Sequence, residues 1–223
     1  MAATQQRGAP TDPRLPDFTL KDWPQRLTQR LSEYLRTLAI EINRRLAFGT
    51  RTIYVPANAM TAQTTSGAAS GTTELANKVM LSTLDFAPDG TEFAQFSVQM
   101  PKSWDTLVIQ AKFLYIHATA TASTSASAGV AWQLQAQAFS SGDSLNTTFS
   151  TAVITSKIGI APLTLWETPL TASYTIENSP AASDWVCFRV SRKHDDAADT
   201  FADADAKLIG VTVNYSQAVM TDL

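Results

Sequence analysis

The sequence has one cysteine, Cys187, and two histidines, His117 and His194, among 223 residues. A lone thiol builds neither an intrachain disulfide framework nor a thiolate metal cage. Every Ser–His–Asp or Cys–His arrangement would have to use one of those two imidazoles. Neither histidine belongs to a metal-spaced pair, and nucleophile-elbow and phosphate-binding glycine motifs are absent. Charge is also scarce, with Asp, Glu, Lys and Arg making up 17% of the chain against roughly 25% in ordinary globular proteins. The net charge of -3 and pI near 5.3 give no global footprint for nucleic acid or an anionic membrane. No run approaches the roughly 18 consecutive apolar residues that a bilayer-spanning helix needs. The polar, Pro-rich stretch from Met1 to Pro16 lacks the apolar core of a secretory signal. The expectation is a protein made in a cytoplasm and either kept there or released by lysis.

What is present falls into three regions. Residues 1–21 carry Pro10, Pro13 and Pro16 among polar residues, the composition of an extended arm that orders along a partner. Residues 22–49 hold one amphipathic helix, over 22–48. Asp22 is placed to cap it, Pro24 falls in the first turn where a missing N–H costs nothing, and Gly49 stops it. Leu27, Leu31, Tyr34, Leu35, Leu38, Ile42 and Leu46 recur at steps of three and four and form a single apolar stripe. Within it Leu31, Leu35, Leu38 and Ile42 fit a coiled-coil seam, which Arg45 breaks before two heptads are complete. The stripe suits self-association as an oligomerisation and anchoring helix, or packing on the chain's own β-domain. Six arginines, Arg26, Arg30, Arg36, Arg44, Arg45 and Arg51, cluster on or next to the helix. With no aromatic ladder beside them they read as a solvated face rather than a nucleic-acid contact.

Residues 50–223 change to period two. Ala94, Phe96, Val98 and Met100 alternate with Gln95, Ser97 and Gln99, and Val130, Trp132, Leu134, Ala136 and Ala138 alternate with Gln133, Gln135 and Gln137. Further runs are Val79–Phe86, Leu107–His117, Trp185–Val190 and Leu208–Tyr215, with weaker ones at Ile53–Val55, Ala152–Ser156 and Ser173–Ile176. Alternation of this kind predicts antiparallel strands with one buried face and one wet face. The fold class expected is mainly β: an antiparallel, jelly-roll-like β-sandwich preceded by the arm and the helix. Thr61–Thr73 and Ala118–Ala128 are rich in small and hydroxylated residues and read as plain loops between strands.

Candidate sites are few. By alternation Trp132 and Trp185 belong to the core, while Trp104 and Trp166 sit in turn sequences where a sugar-stacking platform competes with packing under a loop. His117 ends a strand at the mouth of the Ala118–Ala128 loop. Together with Trp104 and Trp166 it marks possible ligand-binding loops. Cys187 reads as a structural thiol. The run Asp195, Asp196, Asp199, Asp203, Asp205 offers Asp199, Asp203 and Asp205 as weak metal ligands. Without a turn glycine it reads as a solvated acidic loop instead. No catalytic residue, cofactor or metal is assigned.

Five segments together resemble structural proteins of tailed bacteriophages, prophages and gene-transfer-agent-like elements. They are Met80-Leu-Ser-Thr-Leu-Asp-Phe86, Glu92-Phe-Ala-Gln-Phe-Ser-Val-Gln-Met-Pro-Lys-Ser-Trp104, Gly129-Val-Ala-Trp-Gln-Leu-Gln-Ala136, Asp196-Ala-Ala-Asp-Thr200 and Asp205-Ala-Lys-Leu-Ile-Gly-Val-Thr-Val-Asn-Tyr215. The likeness covers most of residues 52–216, leaves the arm and helix uncovered, and rests on overall pattern rather than on a catalytic signature. It implies a non-enzymatic virion component, such as a head decoration, head fibre or tail fibre, assembled in the host cytoplasm. Its expected partners are further copies of itself, as a homotrimer, and other capsid or tail proteins. The alternative is a module that binds a host-surface polysaccharide. Direct nucleic-acid or membrane contact is not expected.

Overall fold

The computed structural model describes residues 23–46, 49–117, 128–149, 151–159, 161–202 and 204–218, apart from the side chains of Trp23, Arg26 and residues 39–46. The chain divides into two compact units, 1–47 and 48–223. The expected arm, 1–21, lies outside the described residues, as does 118–127 of the Ala/Ser/Thr-rich loop.

In the first unit, α1 (Trp23–Leu46) runs for 24 residues, about 36 Å at 1.5 Å per residue. Pro24 is its second residue, as the sequence predicts. Thr28 Oγ1 donates to the Pro24 carbonyl at 2.7 Å and Thr37 Oγ1 to the Glu33 carbonyl at 2.9 Å, so these hydroxyls are satisfied within the helix. Leu27, Leu31, Tyr34, Leu35 and Leu38 are all exposed. The side chains of Ile42 and Leu46 lie outside the described set.

The second unit is an antiparallel β-sandwich. Its strands are β1 (Thr50–Pro56), β2 (Thr61–Ala62), β3 (Ala69–Glu74), β4 (Met80–Phe86), β5 (Ala94–Gln99), β6 (Trp104–His117), β7 (Gly129–Phe139), β8 (Val153–Ile158), β9 (Trp166–Glu167), β10 (Tyr174–Thr175), β11 (Trp185–Arg192) and β12 (Ala206–Gln217). One sheet runs β10-β6-β12-β4-β3, with β1 also on β12 and β9 also on β6. The other runs β2-β5-β11-β7-β8. The chain passes from β4 in the first sheet to β5 in the second, back to β6, and across again to β7. This repeated crossing is the jelly-roll-like feature.

Alternation produces the core directly. Phe96 on β5, Val130, Trp132, Leu134, Ala136 and Ala138 on β7, and Val186, Phe188 and Val190 on β11 face inward. They meet Ile109, Ala111, Phe113 and Tyr115 of β6 and Leu208, Val211 and Val213 of β12. At the centre the Trp132 ring lies 5.2 Å from Phe86 edge-on and 5.6 Å from Phe113 in a stack. Such aromatic pairs add about 0.5–1.5 kcal/mol beyond area burial. On β12 the inward set changes parity between Leu208 and Val211 because the register slips between Leu208 and Gly210, a bulge. At Gly210 the Tyr54 ring lies over the backbone, where a Cβ would come within 2.6 Å of its hydroxyl and push that exposed side chain aside.

One segment departs from expectation. Thr61–Thr73, read as a plain loop, contains β2 and most of β3. Thr72 and Thr73 pair with Ser82 and Leu81, as β-branched residues at a sheet edge readily do.

Candidate functional site

The side chains expected to bind ligand do not form a site. Trp104 is 1% exposed, packed in the core at the start of β6, and its indole N–H has no partner among the described residues. It is not a loop platform, because the β12 register brings Gln217 opposite it and closes the sheet around its ring. His117 is also 1% exposed, its ring 4.2 Å from Phe201 and 5.6 Å from Tyr115. Burial first, and then the nearby Arg192 charge, push its pKa down, with Asp199 opposing. Trp166 is half-buried on β9, and its indole N–H donates to the Ala161 carbonyl at 3.3 Å. It closes its own loop.

Asp199 is not part of a solvated acidic loop. It accepts from Arg192 Nε at 2.9 Å and Nη2 at 2.7 Å, and from the Ala131 amide at 3.0 Å. Both side chains are almost fully buried. Asp203 lies outside the described residues and Asp205 is half-buried. Among the described residues no group of three His, Cys, Asp or Glu side chains could hold a metal, and no helix is long and apolar enough to cross a membrane.

A groove does occur on the outer face of the second sheet. On β11 the odd positions Trp185, Cys187 and Arg189 point outward because Val186, Phe188 and Val190 take the core face. The register sets Trp185 between Gln99 and Phe139, Cys187 between Ser97 and Gln137, and Arg189 between Gln95 and Gln135. The chain after β7 raises one wall with Leu145, Thr147 and Phe149, and Gln63 contributes beside β5. The free volume is about 350 Å³, within the range of small-ligand sites. Gly142, at φ +100°, allows the turn from which that wall starts. The Ser140 amide donates to Asp143 Oδ2 at 2.8 Å, and its hydroxyl donates to Asp184 Oδ1 at 2.8 Å.

The groove's chemistry is aromatic and amide. Trp185 is 40% exposed, and its ring lies 5.6 Å from that of Phe139. Gln137 is 6% exposed, and its Oε1 is buried without a partner among the described residues. Cys187 Sγ sits 3.8 Å from Gln95 Oε1. Burial raises the thiol's pKa more than Arg189 lowers it, so it stays protonated and is a poor nucleophile. The Arg189 guanidinium carbon lies 4.5 Å from the centroids of both Phe93 and Phe149, within cation–π range of each ring.

The sequence reading placed Trp185 in the core and left out Gln95, Gln137, Arg189 and Phe149. The signal was in the alternation. Val186, Phe188 and Val190 are more apolar than Trp185, Cys187 and Arg189, so parity assigns the tryptophan to the outside.

No protein-family profile matches the chain, and no curated protein sequence does. Among solved structures the chain is similar to the CBM22-2 xylan-binding domain of Paenibacillus barcinonensis Xyn10C, at 10% identity and a TM-score of 0.36 over 74% of this chain and 96% of that one. It is similar to a family 11 carbohydrate-binding module of Clostridium thermocellum in complex with a β-1,3-1,4-mixed-linked tetrasaccharide, at 5% identity and 0.37 over 75% and 96%. TmCBM61 in complex with β-1,4-galactotriose matches at 11% and 0.30 over 74% and 86%. At these scores the likenesses carry no argument about a site.

Proposed function

We propose that the β-sandwich is a non-catalytic carbohydrate-binding module whose glycan lies in the Trp185 groove. The observation that carries this reading is the lining itself. An indole half-open to solvent offers an apolar face to the C–H groups of a pyranose, while buried amides beside it offer hydrogen bonds to hydroxyls. The Trp185 indole is the key group, because it is open to the groove while the side chains of Gln95 and Gln137 line the groove beside it. The thiol in the groove is protonated, and neither histidine lines the cleft, which supports binding rather than turnover. A glycan array probed with the full chain tests this: the wild type retains a saccharide, and Trp185→Ala loses roughly tenfold or more in affinity. Equal retention by Trp185→Ala counts against the groove.

A second reading is favoured by the exposed leucine stripe of α1. In it the protein is a virion component of a bacteriophage, as the sequence resemblance implies, and the helix joins copies as a homotrimer on a capsid or tail. The two readings are compatible, since a particle-borne module that binds host-surface polysaccharide would use both features.

A further inference from the structure

Two arginines three residues apart on β11 have opposite surroundings. Arg192 faces inward and is neutralised by Asp199 through paired hydrogen bonds. Arg189 faces outward into the groove, and its only hydrogen-bond partner among the described residues is a neutral amide. Nε and Nη2 both donate to Gln135 Oε1, at 2.9 and 2.6 Å. No described carboxylate lies within ion-pairing distance of Arg189, and none of the residues lining the groove is acidic.

A guanidinium has five N–H donors and keeps its charge in any protein environment. Here it is flanked by Phe93 and Phe149, which limit its motion, and it is partly shielded from water. A positive charge so placed, fixed and without a counter-ion, is preorganised for an anion. The same groove is lined by the amide side chains of Gln95 and Gln137 and by the exposed indole of Trp185. Carboxylate, hydroxyl and pyranose face are the three groups that these would meet.

We infer that the groove takes an acidic saccharide, a uronic-acid-containing glycan whose carboxylate lies against Arg189, whose hydroxyls face the Gln95 and Gln137 side chains and whose ring rests on Trp185. This inference rests on the carbohydrate-binding reading and narrows it. The positive charge discriminates against neutral sugars, because leaving Arg189 unpaired in a covered groove forfeits a charge-assisted hydrogen bond.

The test is calorimetric titration of the full chain with a panel of uronate oligosaccharides (galacturonate, glucuronate-containing, and mannuronate/guluronate) and with the same oligosaccharides after methyl esterification. A sulfated galactose oligosaccharide separates carboxylate recognition from anion binding in general. The expected result is binding of at least one uronate, weakened about tenfold or more by esterification and weakened again by raised salt, with the sulfated sugar weaker. Gln95→Glu places a carboxylate opposite Arg189 across the β5–β11 pair, where it can still accept from Cys187. It is expected to abolish the preference for the acidic form while circular dichroism and melting temperature stay at wild-type values. Arg189→Lys keeps the charge but not the planar fork, and is expected to bind more weakly than wild type. Ester and acid binding equally, or Gln95→Glu without effect, overturns the acidic assignment while leaving carbohydrate binding standing. A panel in which neither acid nor neutral glycan binds overturns both.

Discussion

Arg189 gives two of its N–H groups to one atom, Gln135 Oε1, from Nε at 2.9 Å and Nη2 at 2.6 Å. An amide oxygen orients a guanidinium without cancelling its charge, so the outer face of the second sheet presents a cation that is geometrically fixed yet electrostatically open. On either side of the central strand β11, the glutamines of β5 and β7 hold that face in a neutral, hydrogen-bonding state. The proposed recognition of an acidic glycan rests on this open cation.

The opposite case, Arg192 with Asp199, predicts a large stability effect. Asp199→Asn leaves a fully buried guanidinium without its counter-ion, which costs about 3–5 kcal/mol. Urea unfolding followed by fluorescence should show it, while the Arg192→Met/Asp199→Leu double variant loses less than either single one. A single-variant loss under about 1 kcal/mol would contradict the buried pair.

His117 makes stability depend on pH. Its pKa in the folded state is pushed below the ordinary 6.5 by burial first and then by Arg192, so between that lowered value and 6.5 the unfolded chain binds the proton that the folded chain refuses. Stability is therefore full above about pH 6.5 and falls as pH drops through the window below it. His117→Phe, which keeps the ring contact with Phe201 and removes the unpartnered nitrogen, should flatten the difference between pH 7.5 and 5.5 in parallel urea titrations. An unchanged slope in the variant would refute this assignment.

The helix stripe is tested by size. If α1 joins copies, Leu31→Ser/Leu35→Ser/Leu38→Ser should convert an oligomer into a monomer in sedimentation velocity without altering the β-sheet signal. A wild-type chain that is already monomeric at high micromolar concentration removes the oligomerisation role.

Much of this was legible from residues alone, for reasons that differ by element. Strands such as β5 and β7 announce themselves because one face is buried and the other is not, which imposes period two on the sequence. The stripe of α1 is legible as an apolar period of 3.6, although its described members Leu27, Leu31, Tyr34, Leu35 and Leu38 are exposed. What failed were decisions about single aromatics. Trp104 looks like a turn residue, yet a bulged end of β12 covers it; Trp185 looks like core, yet its neighbours Val186 and Phe188 are the stronger claimants for that face. Asp199 reads as one of a run of acids, because nothing local shows that Arg192 will be folded against it. The groove is not legible in the sequence because its lining comes from β5, β7, β11 and a loop, and only register brings Gln95, Gln137 and Arg189 together.

The most direct test of the central claim is nitrogen–proton NMR of the full chain titrated with a saccharide that it retains. The groove reading predicts shifts at the Trp185 indole, the side-chain amides of Gln95 and Gln137 and the Arg189 Nε–H, with the buried indoles of Trp104 and Trp132 unmoved. Shifts centred instead on Trp166 and its loop, with Trp185 silent, would contradict it.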